Sequence, residues 1–123
     1  MKLNGREAMG NPHGLQLYHY AAYAANVAFY CRSANRKVLV YHNITPAAYF
    51  RGYDVYLEMD CRSGRLILPS LRGCELALAD SEVNRAELVR FGFPAECTAS
   101  RPPFVPLEAL AQVPENHHLL SRY

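Results

Sequence analysis

The chain has 123 residues, of which 50% are hydrophobic and 20% charged. That is the ordinary make-up of a soluble globular protein, at a length for one domain at most. A formal net charge of +2 gives no strong pull toward nucleic acid or anionic lipid. No stretch reaches the ~18 consecutive apolar residues of a membrane span. The most apolar run, Ala21 to Cys31, is shorter and contains Asn26. The first twelve residues lack the apolar centre of a secretory signal. Cys31, Cys61, Cys74 and Cys97 are widely and irregularly spaced, without the close pairs of a zinc site. They read as reduced, mostly buried thiols of a cytosolic protein.

Residues 1–14 form a polar, turn-like segment. Leu15 to Tyr20 reads as a short strand. Ala21 to Cys31, rich in Ala and carrying Tyr23, Phe29 and Tyr30, reads as a buried helix. After a polar turn, Lys37-Val-Leu-Val-Tyr41 is the clearest strand. Its unbroken apolarity predicts a parallel strand covered on both faces. A loop from His42 to Gly52 comes next. Asp54 to about Leu68 reads as a helix burying Leu57, Cys61, Ile67, Leu68 and Leu71. Asp54, Glu58, Arg62 and Arg65 form its solvated, charge-paired face. Pro69 ends that helix.

Glu75 to Ala79 is a second buried strand. Ser81 caps the next helix, in which Val83, Ala86 and Val89 make the apolar stripe. Gly92 and Pro94 stop it. Cys97 to Ser100 is a further short strand. Pro102, Pro103 and Pro106 make the next stretch extended, and 107–123 is a tail with one short helix. Strands and helices alternate, so the expected fold is α/β: a Rossmann-like parallel sheet with flanking helices.

Open parallel sheets collect ligands beyond the carboxyl ends of their strands. Three such ends carry polar groups: His19-Tyr20, His42-Asn43 and Asp80-Ser81. His42 and Asn43 are the strongest candidates, since both can hydrogen-bond sugar hydroxyls or phosphate. The pattern alone reads equally well as a capped loop. His19 among tyrosines reads first as structural, and Asp80-Ser81 as a strand end and helix cap. His117-His118 read as exposed tail residues. The glycine-rich phosphate loops and the nucleophile elbow are absent from the sequence.

Val38-Leu-Val-Tyr-His-Asn-Ile-Thr-Pro46 is more specific. It resembles the segment after a central strand in a group of bacterial retaining glycosyltransferases with the GT-B fold. The resemblance continues through Tyr49 to Asp54 and Arg62 to Arg65. It returns at Leu76-Ala-Leu-Ala-Asp-Ser-Glu-Val-Asn-Arg-Ala-Glu-Leu88 and Phe91 to Pro94.

The resemblance implies that residues 15–106 are an incomplete acceptor-side (N-terminal) domain. The reaction it implies moves a sugar from a nucleotide-sugar to an acceptor hydroxyl on a glycan or lipid-linked acceptor. No metal and no further cofactor are implied. His42 takes the sugar-positioning role, and Asn43 and His19 bind substrate. The implied partner is a donor-binding domain, in cis or in trans, without which the chain is expected to be inactive. Self-association through an apolar edge is a second expectation. The implied location is the cytoplasm, with the inner-membrane surface as an option.

The sequence departs from the group at Ala21-Ala22-Tyr23, where small Ser or Gly residues usually come after the strand. Backbone approach to an anionic ligand is harder there. The competing expectation is a non-catalytic binding or interaction module, or a truncated remnant, that keeps the fold.

Overall fold

The computed structural model describes residues 11–112. The polar start of the chain, most of the expected tail and His117-His118 lie outside the described residues.

Four strands form one parallel sheet: β1 (Leu15–Tyr20), β2 (Arg36–Tyr41), β3 (Leu76–Ala79) and β4 (Thr98–Ser100). Their order across the sheet is their order in the chain. The connecting helices are α1 (Val27–Arg32), α2 (Val55–Ile67) and α3 (Glu82–Arg90), and α4 (Leu107–Ala111) comes after β4. The fold is α/β and Rossmann-like, as expected.

A strand order without reversal has a consequence. Right-handed crossovers then carry every connecting helix over the same face of the sheet. Three tyrosines on that face bear this out. The Tyr18 hydroxyl donates to Asn26 Oδ1 just before α1 at 2.8 Å, and its ring stacks on Tyr30 of α1. The Tyr20 hydroxyl donates to the Gly64 carbonyl of α2 at 2.8 Å. The Tyr41 hydroxyl donates to Glu87 of α3 at 2.6 Å. Leu39, Ala77 and Ala79 are buried beside them. Each fully buried leucine or phenylalanine of such a core stabilises the fold by roughly 1.5–3 kcal/mol.

Side chains alternate across a strand, so the opposite face carries Leu15, Leu17, Val38, Val40, Leu76 and Leu78. Leu15 and Leu17 are 59% and 56% exposed, and the other four are half-buried. The apolar run of β2 therefore does not mark a strand covered on both faces among the described residues. It marks one buried and one open face, both apolar.

The expected helix from Ala21 to Cys31 is mostly a turn, with only Val27–Arg32 helical. Tertiary bonds hold the segment off helical geometry. Tyr23 N–H donates to the Asp60 carbonyl of α2 at 3.0 Å, and Asn26 is held by Tyr18. Gly64 permits the close approach: a Cβ there would lie 2.8 Å from Tyr23 N and 3.0 Å from the Ala22 carbonyl carbon.

Asp54 caps α2 by accepting from Tyr56 N–H and Leu57 N–H at 2.9 and 3.0 Å. Glu58 and Arg62 pair at 2.9 Å on the surface, as expected. Arg65 does not join them. It donates to Glu87 at 2.6 Å and to the Ile44 carbonyl at 2.7 Å, joining α2 to α3 and to the loop after β2. Leu57 is exposed, whereas Cys61, Leu68 and Leu71 are buried. The α-helix stops at Ile67 and a 3-10 turn, Leu68–Leu71, carries Pro69.

Ser81 Oγ accepts from Asn84 N–H at 3.2 Å, the expected cap of α3. The expected apolar stripe of α3 is on the wrong side. Val83 is 73% exposed, Ala86 and Val89 are not buried either, and the buried residue is Leu88. Glu87 displaces the pattern, because Tyr41 and Arg65 satisfy its carboxylate on the inner side. At the helix end Gly92 takes φ 88°. Its N–H donates to the Val89 carbonyl and Phe93 N–H to the Leu88 carbonyl, with Phe93 buried against the core. Of the cysteines only Cys61 is buried. Cys31 is exposed, Cys74 and Cys97 are intermediate, and all four are free.

No helix among the described residues is long and apolar enough to cross a membrane.

Candidate functional site

The backbone ladder runs past the strand ends and fixes the first residues beyond them. His42 N–H donates to the Tyr20 carbonyl at 3.0 Å, and Arg101 N–H to the Ala79 carbonyl at 2.7 Å. His19 is the penultimate residue of β1, His42 the first after β2 and Asp80 the first after β3. By alternation all three belong to the open face, in line with Leu17, Val40 and Leu78. Three adjacent parallel strands thus deliver three polar side chains to one edge.

The three side chains form a continuous hydrogen-bonded chain. Asp80 Oδ2 lies 3.0 Å from His42 Nδ1. His42 Nε2 lies 2.7 Å from His19 Nδ1. The two imidazoles are 11° from parallel with centroids 4.9 Å apart. That separation is nearly the nitrogen contact plus the two ring radii. The rings therefore meet edge to edge in nearly one plane, where ring N–H and lone pair both lie. The side chains of His42 and Asp80 are 37% and 26% exposed, so solvent and a ligand can reach them.

Asp80 and His42 also wall a cleft of about 460 Å³, closed on its other side by residues 101–105. Val40 forms part of its apolar lining, Arg101 brings a guanidinium, and Phe104 stands 90% exposed at the margin. The Arg101 side chain has no carboxylate partner among the described residues. Carboxylate, imidazole, guanidinium and phenyl ring together suit a ligand with hydroxyl edges and apolar faces.

The sequence candidates divide. His19 and His42 come together, but only His42 lines the cleft. Asn43 is exposed, succeeds His42 with φ 70°, and lies outside the cleft lining. Its left-handed backbone turns the chain sharply after β2, a conformation Asn tolerates. Asp80, read from sequence as a strand end, is the carboxylate that holds His42. The readable signal was its position, one residue past β3 as His42 is one past β2. Arg101 and Phe104 gave no signal beyond the proline-rich composition around them. At the turn after β1, Tyr23 N–H is already bonded to Asp60, so that amide is not offered to a ligand. Among the described residues no group of three His, Cys, Asp or Glu side chains is arranged to hold a metal ion.

Compared with known proteins, the chain matches no family model, no curated protein sequence and no solved structure.

Proposed function

We propose that this chain supplies the acceptor-side half of a glycosyltransferase cleft, in which a sugar passes from a nucleotide-sugar to an acceptor hydroxyl. The observation that carries the reading is the meeting of His19, His42 and Asp80 at the carboxyl edge of a parallel sheet, beside an open cleft. The resemblance around Tyr41-His-Asn-Ile-Thr-Pro46 supports it.

In this reading His42 positions the sugar. Asp80 and His19 hold both of its ring nitrogens, so a sugar in the cleft rests against a fixed ring. Holding reactants in a set geometry is where much of such catalysis resides. Asn43 and His19, both exposed and outside the cleft lining, bind the part of the substrate that extends beyond it. The nucleotide-sugar is held by a donor-binding domain in cis or in trans, and no metal takes part. The setting is cytoplasmic, with a glycan or lipid-linked acceptor at hand.

The reading is tested by binding. Mono- and oligosaccharides are titrated into the ¹⁵N-labelled chain and followed by NMR. Shifts clustered on His42, Asp80 and residues 101–105 are expected. Saccharides that shift none of these would overturn the reading. Saccharide binding without transfer in any partnered assay would favour the non-catalytic binding module, for which the exposed apolar sheet face is the supporting observation.

A further inference from the structure

We infer that the cleft selects a saccharide bearing a carboxylate, a uronic acid, with Arg101 holding the acid group and Phe104 packing on the sugar ring. This deepens the glycosyltransferase reading and rests on it for the presence of a saccharide in the cleft.

Arg101 reaches the site through the sheet. Its N–H donates to the Ala79 carbonyl at 2.7 Å, which carries the β3–β4 ladder one residue past the strand end. Ala79 pairs with Ser100, so Asp80 stands opposite Arg101. By alternation Arg101 belongs to the open face, in one row with Asp80 and His42. The residue before a proline is held extended, and Pro102 takes that place after Arg101. Pro102 and Pro103 favour the polyproline conformation, with about three residues per turn. That conformation puts Arg101 and Phe104 on one side of the segment, and both line the cleft. Such a backbone has little freedom left to lose when a ligand binds.

The charges select the ligand. Asp80 gives its carboxylate to His42 Nδ1 at 3.0 Å and makes no ion pair with Arg101. The Arg101 guanidinium, without a carboxylate partner among the described residues, keeps its planar fork of donors for a ligand. A carboxylate fits that fork with two parallel hydrogen bonds. A phosphate monoester would bring a charge of about −1.5 to −2 at pH 7. Among the described residues Arg101 is the one fixed cation of the lining, and Asp80 lies beside it. The single charge of a carboxylate matches this balance better. Asp80 can only accept, so it meets hydroxyls and not the acid group. Phe104, 90% exposed, offers a flat apolar face to the C–H side of a pyranose. A uronic acid presents the acid group, the hydroxyls and the apolar face on one ring.

Methyl β-D-glucuronide and methyl β-D-glucoside differ in whether C6 is a carboxylate or a hydroxymethyl group. Both are titrated into the ¹⁵N-labelled chain, with glucose 6-phosphate and acetate as further probes. The glucuronide should bind about tenfold more tightly than the glucoside, as expected of hydrogen bonds to a charged group. Its shifts should fall on the Arg101 guanidinium, Phe104 and Val105. Arg101→Gln should erase the preference and leave glucoside binding unchanged. Arg101→Lys should keep part of it, because the charge stays and the fork is lost. The backbone N–H of residue 101 is present in both variants, and circular dichroism checks that the fold is kept. Equal binding of the two glycosides, or a preference that survives Arg101→Gln, would overturn the inference while a saccharide site remains. Tighter binding of glucose 6-phosphate than of the glucuronide would overturn it in favour of a phosphate group. Acetate binding as tightly as the glucuronide would overturn it by reducing the site to a simple anion contact. Silence from every saccharide would remove it together with the glycosyltransferase reading.

Discussion

His42 Nδ1 faces Asp80 Oδ2 at 3.0 Å across the ends of two neighbouring parallel strands. The pair sits at a partly exposed edge, so its weight in folding is small, about 1 kcal/mol or less. Asp80→Ala should therefore leave thermal stability nearly unchanged while freeing the His42 ring. Saccharide-induced shifts at His42 should shrink in that variant. Shifts of wild-type size would separate Asp80 from the site.

Gly64 is a structural counterpart to that functional pair. A methyl group there meets the backbone of Ala22 and Tyr23, which cannot move aside without losing the Tyr23–Asp60 bond. Gly64→Ala should cost about 1–3 kcal/mol, the usual range for overpacking. Urea unfolding measures it directly. An unchanged midpoint would mean that α2 does not approach the turn after β1 so closely.

Tyr41, Glu87 and Arg65 form a part-buried network joining β2, α3 and α2. Tyr41→Phe leaves Glu87 Oε2 without its donor while Arg65 keeps Oε1. The expected loss is about 1–3 kcal/mol. A double-mutant cycle with Glu87→Gln should show clear coupling, and additive losses would deny the network.

The buried tyrosines set an alkaline limit. Burial pushes the Tyr20 hydroxyl up from 10.0 to about 12, and it also raises Tyr30 and Tyr41, with the Glu87 carboxylate adding to the rise at Tyr41. A group held protonated by the fold lends stability that is complete below its unfolded value. That stability is lost as pH rises through the folded value. Stability should hold to about pH 10 and fall toward pH 12, with phenolate absorbance and loss of helical circular dichroism rising together. Phenolate formation by these residues in an intact fold would contradict their burial.

Leu15 and Leu17 lie exposed on the open sheet face. Contiguous apolar surface of this kind promotes association. Sedimentation should show self-association that rises with concentration and weakens in Leu17→Lys, with stability changed by no more than about 0.5 kcal/mol. A strictly monomeric wild-type chain at high concentration would contradict this.

The strands were legible because Val38 to Tyr41 and Leu76 to Ala79 are apolar runs, and because Leu15 to Tyr20 carries leucines and tyrosines between polar residues. Caps were legible because Ser81 and Gly92 act through local backbone geometry. The errors lie where a distant partner decides. Asn26 and Tyr23 are held by Tyr18 and α2, which shortens the helix that the alanines suggest. Glu87 turns inward because Tyr41 and Arg65 await it, so the apolar stripe misplaces the inner side of α3. The site was half legible. His42 and His19 could be placed at strand ends, but their contact depends on strand order. Asp80 as their carboxylate, and Arg101 and Phe104 across the cleft, depend on where β3 and β4 lie.

The most direct measurement is sugar transfer and nucleotide-sugar hydrolysis across UDP-, GDP- and dTDP-sugars. The chain is assayed alone and with the product of a neighbouring reading frame that encodes a donor-binding domain. Transfer is expected only with the partner, falling about 10²-fold in His42→Ala with the fold intact. Undiminished transfer by His42→Ala, or a folded chain that supports no transfer with any donor and partner, would contradict the glycosyltransferase reading.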